Sequence, residues 1–401
     1  NFAGAPPLGL PALPAVSRLS PRVVRVLGLN PSALTLQGTN TYLVGTGKRR
    51  WLIDTGEGHR DYPATLQRAM EEEGVEALEG VLLTHWHGDH VRGLPGVRAK
   101  LARMHSSKAT GGDDGVPRPA VIRAHKRVRH GAGETAVVAV GLEQDAHVSS
   151  SNVRSTTDPG ASRAYVDIAD GEVFTAEGAT LRAIFTPGHA EDHMCFLLEE
   201  EGAIFAGDCV LNGNTATFED LGQYGASLER MQTELKEAVD ACGRSSGGLS
   251  LANKDGEGAS EGVTSYGEVR GKHDDVSAPV AGRLYPSHGD VIKDGAGKLC
   301  QYRKHRSHRE AIFMDVLRQQ APERGGLTSW ELCTAVYARQ VNRLVLWFAC
   351  PKITSQHLSK MVEEGRVRRE VRGGVFGWFM QARYRPEAAE MESEMKQKPR
   401  L

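Results

Sequence analysis

The sequence predicts an α/β chain in two parts, a large layered domain over residues 16–300 and a small winged-helix-like domain over residues 301–385. Three observations carry this. Short β-branched segments recur through the first three quarters, each running into a polar loop, with helical pattern between them. From about residue 301 the pattern changes to amphipathic helices. The last helix is followed by two short runs around Gly373-Gly374, a hairpin signal.

The elements follow in order. Residues 1–15 form an extended arm, because Pro6, Pro7, Pro11 and Pro14 block helix. Arg22 to Leu27 (RVVRVL) reads as a strand. Thr41 to Val44 and Trp51 to Ile53 flank Gly45-Thr46-Gly47 and predict a hairpin. Tyr62 to Glu73 is helical in pattern, with Leu66, Ala69 and Met70 on one face. Gly80 to Thr84 (GVLLT) is a buried-type strand that runs straight into His85. Residues 105–163 and 243–282 are rich in Gly, Ser and charge, apart from a short Val137 to Val140 run. Such composition cannot bury enough apolar surface to offset ordering entropy, so both stretches are expected to be inserted loops. In the C-terminal part, His308 to Gln319 is amphipathic, and Ser329 is placed to N-cap a helix opening at Trp330. Ile353 to Glu364 makes a further helix ended by Gly365, and Arg366 to Val371 with Val375 to Phe379 makes the ribbon. Residues 386–401 are a charged tail.

The formal net charge of −1 indicates no class of partner. Its distribution is uneven, since residues 301–401 carry 19 Lys+Arg against 11 Asp+Glu. A basic quarter suits an anionic partner or is a solvated helical face. The six cysteines (Cys195, Cys209, Cys242, Cys300, Cys333 and Cys350) form no CxxC pair and read as reduced thiols. No apolar run approaches the roughly 20 residues needed to cross a bilayer, and no signal peptide is visible. A cytoplasmic location is expected; a mitochondrial one stays open, since the chain starts at Asn1 rather than Met.

The chemistry is concentrated in Thr84-His85-Trp86-His87-Gly88-Asp89-His90. Three histidines and an aspartate lie within six residues, directly after an apolar strand, with Gly88 to permit the turn. Imidazole nitrogen and carboxylate oxygen are the donors zinc accepts when no thiolate is offered. A loop leaving a strand end can aim such side chains at two centres. One loop cannot close two tetrahedral sites, so further ligands are required. His189 in FTPGH, Asp208 in IFAGD and His288 in LYPSH occupy similar strand-to-loop settings. Each alone is more often a cap or a satisfied polar residue; together, in this order, they form a pattern.

That pattern resembles the metallo-β-lactamase superfamily, whose HxHxDH, then His, then Asp, then His is matched in full. The resemblance implies an αββα sandwich and two Zn²⁺ per chain. It implies one metal held by His85, His87 and His189 and a second by Asp89, His90 and His288, with Asp208 bridging them. Asp54 matches the family's strand-end aspartate, which orients the metal loop from behind, and Asn40 matches a pocket-edge position. Asp89 is both a ligand and a catalytic candidate. His193, four residues beyond His189, is a candidate hydrogen-bond donor to the substrate or transition state, a structural role being the alternative.

The segments RVVRVLGLNPSALTLQGTNTYLVGTG, LTHWHGDHVRGLP, EGATLRAIFTPGHAEDHMCFLLEEEGAIFAGD and LYPSHGDVI are similar to two sister groups. One is the lactamase-like endoribonuclease of mitochondria; the other is the fungal lactamase-like thioesterases that release polyketides from acyl carrier protein. The chain departs from both in its two insertions and in Ser287, where Gly or Ala is usual. The resemblance implies a dinuclear zinc hydrolase in which a metal-bridging hydroxide attacks an acyl thioester. Single-stranded RNA is the alternative substrate, and a non-catalytic metal-binding scaffold the remote one. Acyl carrier protein or RNA would meet the basic region, through Arg303, Arg306, Arg366, Arg368, Arg369 and Arg372. No DNA or membrane partner is expected, nor β-lactam hydrolysis, since a fold does not dictate its substrate.

Overall fold

In a computed structural model, the described residues are 9–108, 121–124, 127–129, 136–138, 166–213, 215–245, 280–339, 346–347, 350–372 and 381–387. Two sheets dominate them. The first has the order β1 (Val16–Arg18), β2 (Val23–Leu27), β3 (Asn40–Val44), β4 (Arg49–Ile53), β5 (Ala77–Leu83), β6 (Val121–Ala124). The second has the order β13 (Leu284–Pro286), β12 (Ala203–Gly207), β11 (Met194–Leu198), β10 (Ala179–Phe185), β9 (Val173–Ala176). A separate two-stranded ribbon joins β7 (Arg127–Arg129) to β8 (Ala136–Val138).

The strands expected from the sequence form at close to the expected limits, because alternate residues have two different apolar layers to enter. Val23, Tyr42, Val44, Trp51 and Ile53 of the first sheet pack against Phe174, Leu181, Met194, Phe196, Phe205 and Tyr285 of the second. Val24, Val26, Leu43, Leu52 and Val81 face the other way, onto α1 (Tyr62–Glu72) and α3 (Leu94–Lys108) through Tyr62, Leu66, Met70, Leu94 and Val97. The outer face of the second sheet is covered by the C-terminal half of α4 (Leu221–Ser245), where Met231 Sδ lies 3.8 Å from Cys195 Sγ. The layers are therefore helix, sheet, sheet, helix, the αββα sandwich. Each fully buried large side chain there contributes about 1.5–3 kcal/mol.

One stretch differs from expectation. Val121–Ala124 lies inside residues 105–163, read as an inserted loop, yet it extends the first sheet by pairing parallel with β5. At four residues it is too short a run to stand out from polar surroundings. The Val137 to Val140 run contributes β8 through Ala136–Val138. Of residues 243–282, Gly243 to Ser245 end α4, and 246–279 lie outside the described residues.

By contacts the chain divides into two compact units. The first is Asn1–Thr186, Asp192–Ala216 and Arg230–Ala296; the second is Pro187–Glu191, Thr217–Glu229 and Gly297–Leu401. The second is built around α5 (Gly295–Arg324), α6 (Ser329–Tyr337), α7 (Cys350–Glu363), β14 (Val367–Arg372) and β15 (Gln381–Pro386). Phe313, Leu317, Leu332, Tyr337, Leu358, Met361 and Val367 form its core. Thr328, not Ser329, caps α6: its hydroxyl accepts from the Glu331 amide while the Glu331 carboxylate accepts from the Thr328 amide. Leu327, just ahead of α6, bridges to Tyr384 of β15 and so ties the helices to the ribbon. The return strand is Gln381–Pro386, whereas the sequence placed it at Val375 to Phe379, outside the described residues along with Gly373-Gly374. Gly365 ends α7 as expected, with φ 68°.

The basic surface expected here is largely engaged within the unit. Arg303 pairs with Glu229, Arg306 lies over the Phe218 ring, Arg366 pairs with Glu310 and Arg368 with Glu387. Glu310 is the buried hub, accepting from Lys360 and Arg366 at 2.8 Å each. Burial opposes its ionisation, but His357, Lys360 and Arg366 outweigh it and hold the carboxyl at about 2. A depressed carboxyl stabilises the fold above its unfolded pKa and ceases to do so as pH falls toward the folded one. Glu310→Gln is therefore expected to cost on the order of 3 kcal/mol near neutrality, a loss that shrinks between about pH 4.5 and 2, measured by denaturant unfolding across pH.

Candidate metal centre

Five strands deliver polar residues to one edge of the sandwich. β4 ends at Asp54, β5 at Thr84 and His85, β10 at Thr186 ahead of His189, β12 at Asp208, and β13 at Ser287-His288. The loop after β5 turns into the short helix α2 (Gly88–Val91), with His87 as its N-cap residue and Asp89 in its first turn. Gly88 has no left-handed backbone. The left-handed residue is Asp54, at φ 58°, a conformation aspartate tolerates better than branched side chains.

From that position Asp54 holds the loop. Its Oδ1 accepts from the Thr84 amide at 2.8 Å, and its Oδ2 accepts from His90 Nδ1 at 2.8 Å. The Thr84 hydroxyl donates to the same carboxylate and so accepts from His85 Nδ1, 3.0 Å away. His189 Nδ1 donates to the Thr217 carbonyl at 2.8 Å. In each of these three histidines one ring nitrogen is fixed as a donor, which leaves Nε2 as the lone-pair bearer.

The ligand-type atoms gather into two groups. His85, His87, His189 and Asp208 offer atoms all within 4.8 Å of one another, and so do Asp89, His90 and His288. His85 Nε2 and His87 Nδ1 converge to 2.8 Å. Asp208 Oδ1 also reaches the second group, 3.6 Å from His90 Nε2 and 3.3 Å from His288 Nε2. The donors fit metal ions. His90 Nε2 is buried and makes no hydrogen bond, although Asp89 and Asp208 oxygens lie 3.3 and 3.6 Å away. A set of imidazoles and carboxylates without thiolate suits zinc, iron or manganese.

Electrostatics agree. Burial disfavours the charged ring of His90, but Asp89, Asp54 and Asp208 outweigh it and raise its pKa well above the ordinary value. His288 is likewise raised to about 9 against burial, by Asp208 and Asp89. Burial and the neighbouring His90 lower His87 to about 4. Burial opposes ionisation of Asp89, but His90 and His288 hold it well below the usual carboxylate range. A cation bound here would displace protons from the imidazoles, since a ligating histidine is neutral.

The sequence matches the model of the metallo-beta-lactamase superfamily over residues 34–243. The chain belongs to this superfamily. Among curated relatives, the atrochrysone carboxyl ACP thioesterase AgnL7 of Paecilomyces divaricatus is 33% identical over 373 residues, 92% of this chain and 89% of that one. The lactamase-like protein aptB of Emericella nidulans is 34% identical over 363 residues, 89% and 86% of the two chains. Among solved structures, a beta-lactamase domain protein from Burkholderia ambifaria shares the fold with a TM-score of 0.54 at 16% identity, over 95% of this chain and 97% of that one.

In this metallo-beta-lactamase fold the seven residues expected as ligands lie in the two groups described, with Asp208 within reach of both. Two other residues take structural positions, which for His193 is the alternative the sequence offered and for Asn40 differs from the expected pocket edge. His193 is fully buried; its Nε2 accepts from the Asp208 amide at 3.1 Å and its Nδ1 meets Thr186 Oγ1 at 2.9 Å. With both nitrogens engaged it positions Asp208 and has none left to offer a substrate. Gly207 makes the approach feasible, since a Cβ there would sit 2.4 Å from His193 Nε2. Asn40 is buried rather than at a pocket edge, and its amide donates to the Pro286 and Gly289 carbonyls at 2.8 Å each, clamping the turn that carries His288. Sequence reading missed Thr39, whose hydroxyl donates to Asp89 Oδ2 at 3.2 Å, and also Thr84 and the Thr217 carbonyl. Only Thr84 carried a signal, its position at the head of the histidine loop.

Asp54→Asn keeps the size of the side chain but puts a donor amide against one of the groups that now donate to it. It is expected to weaken metal retention about 10–100-fold, read by metal content after dialysis against graded chelator, with the fold intact by circular dichroism.

Proposed function

We propose that the chain hydrolyses an acyl thioester, releasing a polyketide from its acyl carrier protein, with two zinc ions at the site. The observation that carries the chemistry is the pair of donor groups sharing Asp208. The substrate class is supported by relatives named as carboxyl ACP thioesterases, matched over about nine-tenths of both chains.

Bound divalent ions supply Lewis acidity and ionised water near neutral pH. The chain's own residues do the rest. His85, His90, His189, Asp208 and His288 are buried, whereas His87 and Asp89 are half-buried, so substrate approaches across those two. Asp89 is kept ionised by His90 and His288 and is aimed by Thr39. It is thereby poised to accept a hydrogen bond from water arriving at the site and so to orient it. A thiolate is a good leaving group, so no Ser or Cys nucleophile is required.

The test is turnover of a polyketide-type acyl-thioester on carrier protein, set beside a short unstructured RNA. Thioester hydrolysis is expected, lost with chelator and restored by Zn²⁺. Asp208→Asn and His87→Ala are expected to lower kcat/KM by roughly a thousandfold, the scale of a lost electrostatic stabiliser. Turnover of RNA alone, or hydrolysis untouched by either substitution, overturns the proposal.

A further inference from the structure

His189 sits on a loop that supplies little of its own support. Within Pro187–Glu191 the Gly188 amide donates to the Ala190 carbonyl, and four further hydrogen bonds leave the loop. They go to one segment, Thr217–Glu229. His189 Nδ1 donates to the Thr217 carbonyl, the Glu219 and Asp220 amides donate to the Gly188 carbonyl at 2.7 and 3.0 Å, and the Ser227 hydroxyl donates to the Pro187 carbonyl at 2.7 Å. The fit is close: Gly188 has φ 125°, and a Cβ there would lie 2.3 Å from the Tyr224 amide nitrogen.

That segment is in turn held by the C-terminal helices. Gln356 of α7 donates its side-chain amide to the Phe218 carbonyl at 2.5 Å and the Glu219 carbonyl at 3.0 Å. The Phe218 ring is stacked on Tyr224, covered by the Arg306 guanidinium at 4.8 Å, and met edge-on by buried His357. Thr217, whose carbonyl fixes the tautomer of His189, is bonded directly to Phe218, which Gln356 pins.

We propose that Gln356 is a positioning residue for the metal site, so that the C-terminal helices set the affinity of the ligand His189. The inference rests on the metal-site reading above. Gln356 touches neither metal nor substrate. It fixes the two peptide groups next to Thr217, and through the Thr217 carbonyl the ring orientation of His189. Partners of a ligating histidine typically tune retention of the metal by 10–100-fold.

The test uses the full chain loaded with Zn²⁺ and follows release into a chromophoric chelator, which needs no substrate. Gln356→Leu and Gln356→Glu each remove the donor, the second without changing shape. Thr354→Val removes the bond from Thr354 to the Cys350 carbonyl in the same helix and does not reach residues 217–229. His189→Ala marks the full effect. Both Gln356 variants are expected to release part of the zinc at least about tenfold faster while keeping a cooperative unfolding transition, with Thr354→Val releasing it at the parent rate. Parent-like release from folded Gln356 variants, or equal acceleration by Thr354→Val, overturns the inference alone. A parent chain that takes up no zinc, or a His189→Ala chain that retains it normally, overturns the site and the inference together.

Discussion

The carboxylate of Asp54 is the fixture on which the rest of the site depends. Buried at the end of β4, it accepts from the Thr84 amide, the Thr84 hydroxyl and His90 Nδ1. Those contacts join two neighbouring strand ends to α2. They also offset the cost of a left-handed aspartate, of order 1 kcal/mol or more, because charge-assisted hydrogen bonds are the strong ones. The Thr55 amide and hydroxyl add bonds to the His90 carbonyl. A loop of three histidines and an aspartate would otherwise sample many conformations and repel itself whenever its rings were protonated. Held this way, its donors are aimed into the two groups they form with the residues of the other strands.

The remaining ligands depend on the contact between the sheets. Tyr42 of β3 packs on Phe205 and Tyr285 with ring centroids 5.1 and 5.8 Å away, and its hydroxyl donates to the Pro286 carbonyl at 2.6 Å. Asn40, two residues earlier, clamps the same turn. One strand of the first sheet thus sets where the second sheet places His288. Close-packed interiors deform little, so the separation of the ligand groups is a property of the core as much as of the loops.

Legibility from sequence tracked how local each cause is. HxHxDH declares itself because its donors are neighbours in the chain, and His189, Asp208 and His288 because each follows an apolar strand. Strands with a two-sided core were readable for the same reason. What could not be read arises from long-range geometry. Thr39 is an ordinary strand-flanking residue until Asp89 is brought opposite it, fifty positions away. His193 looks like a free imidazole near a ligand, and only the left-handed Gly207 turn shows that its ring is spent on the Asp208 amide. Val121–Ala124 was hidden because a four-residue strand is shorter than any pattern that could separate it from its polar surroundings. The cap of α6 lies one residue earlier than expected because Ser is intrinsically the better cap than Thr, and only the reciprocal bond from Glu331 selects Thr328.

The arginines of the C-terminal region teach a related lesson about composition. A surplus of positive charge reads as a surface waiting for an anion, yet Arg303, Arg366 and Arg368 meet carboxylates and Arg306 meets an aromatic face. The segment that Arg306 and Gln356 hold carries the bonds that a buried, irregular histidine loop requires. Backbone groups in such a loop must find partners somewhere, since leaving one unpaired costs as much as a lost hydrogen bond. A strand or helix would supply them from its own ladder. The Thr-Pro-Gly-His turn cannot, having a proline without an amide proton and a glycine whose carbonyl is taken by the Glu219 and Asp220 amides. Its satisfaction is therefore delegated to residues 217–229 and, behind them, to α7. A histidine on such a turn is only as rigid as the elements that complete its hydrogen bonds, here residues 217–229 and α7 of the same unit.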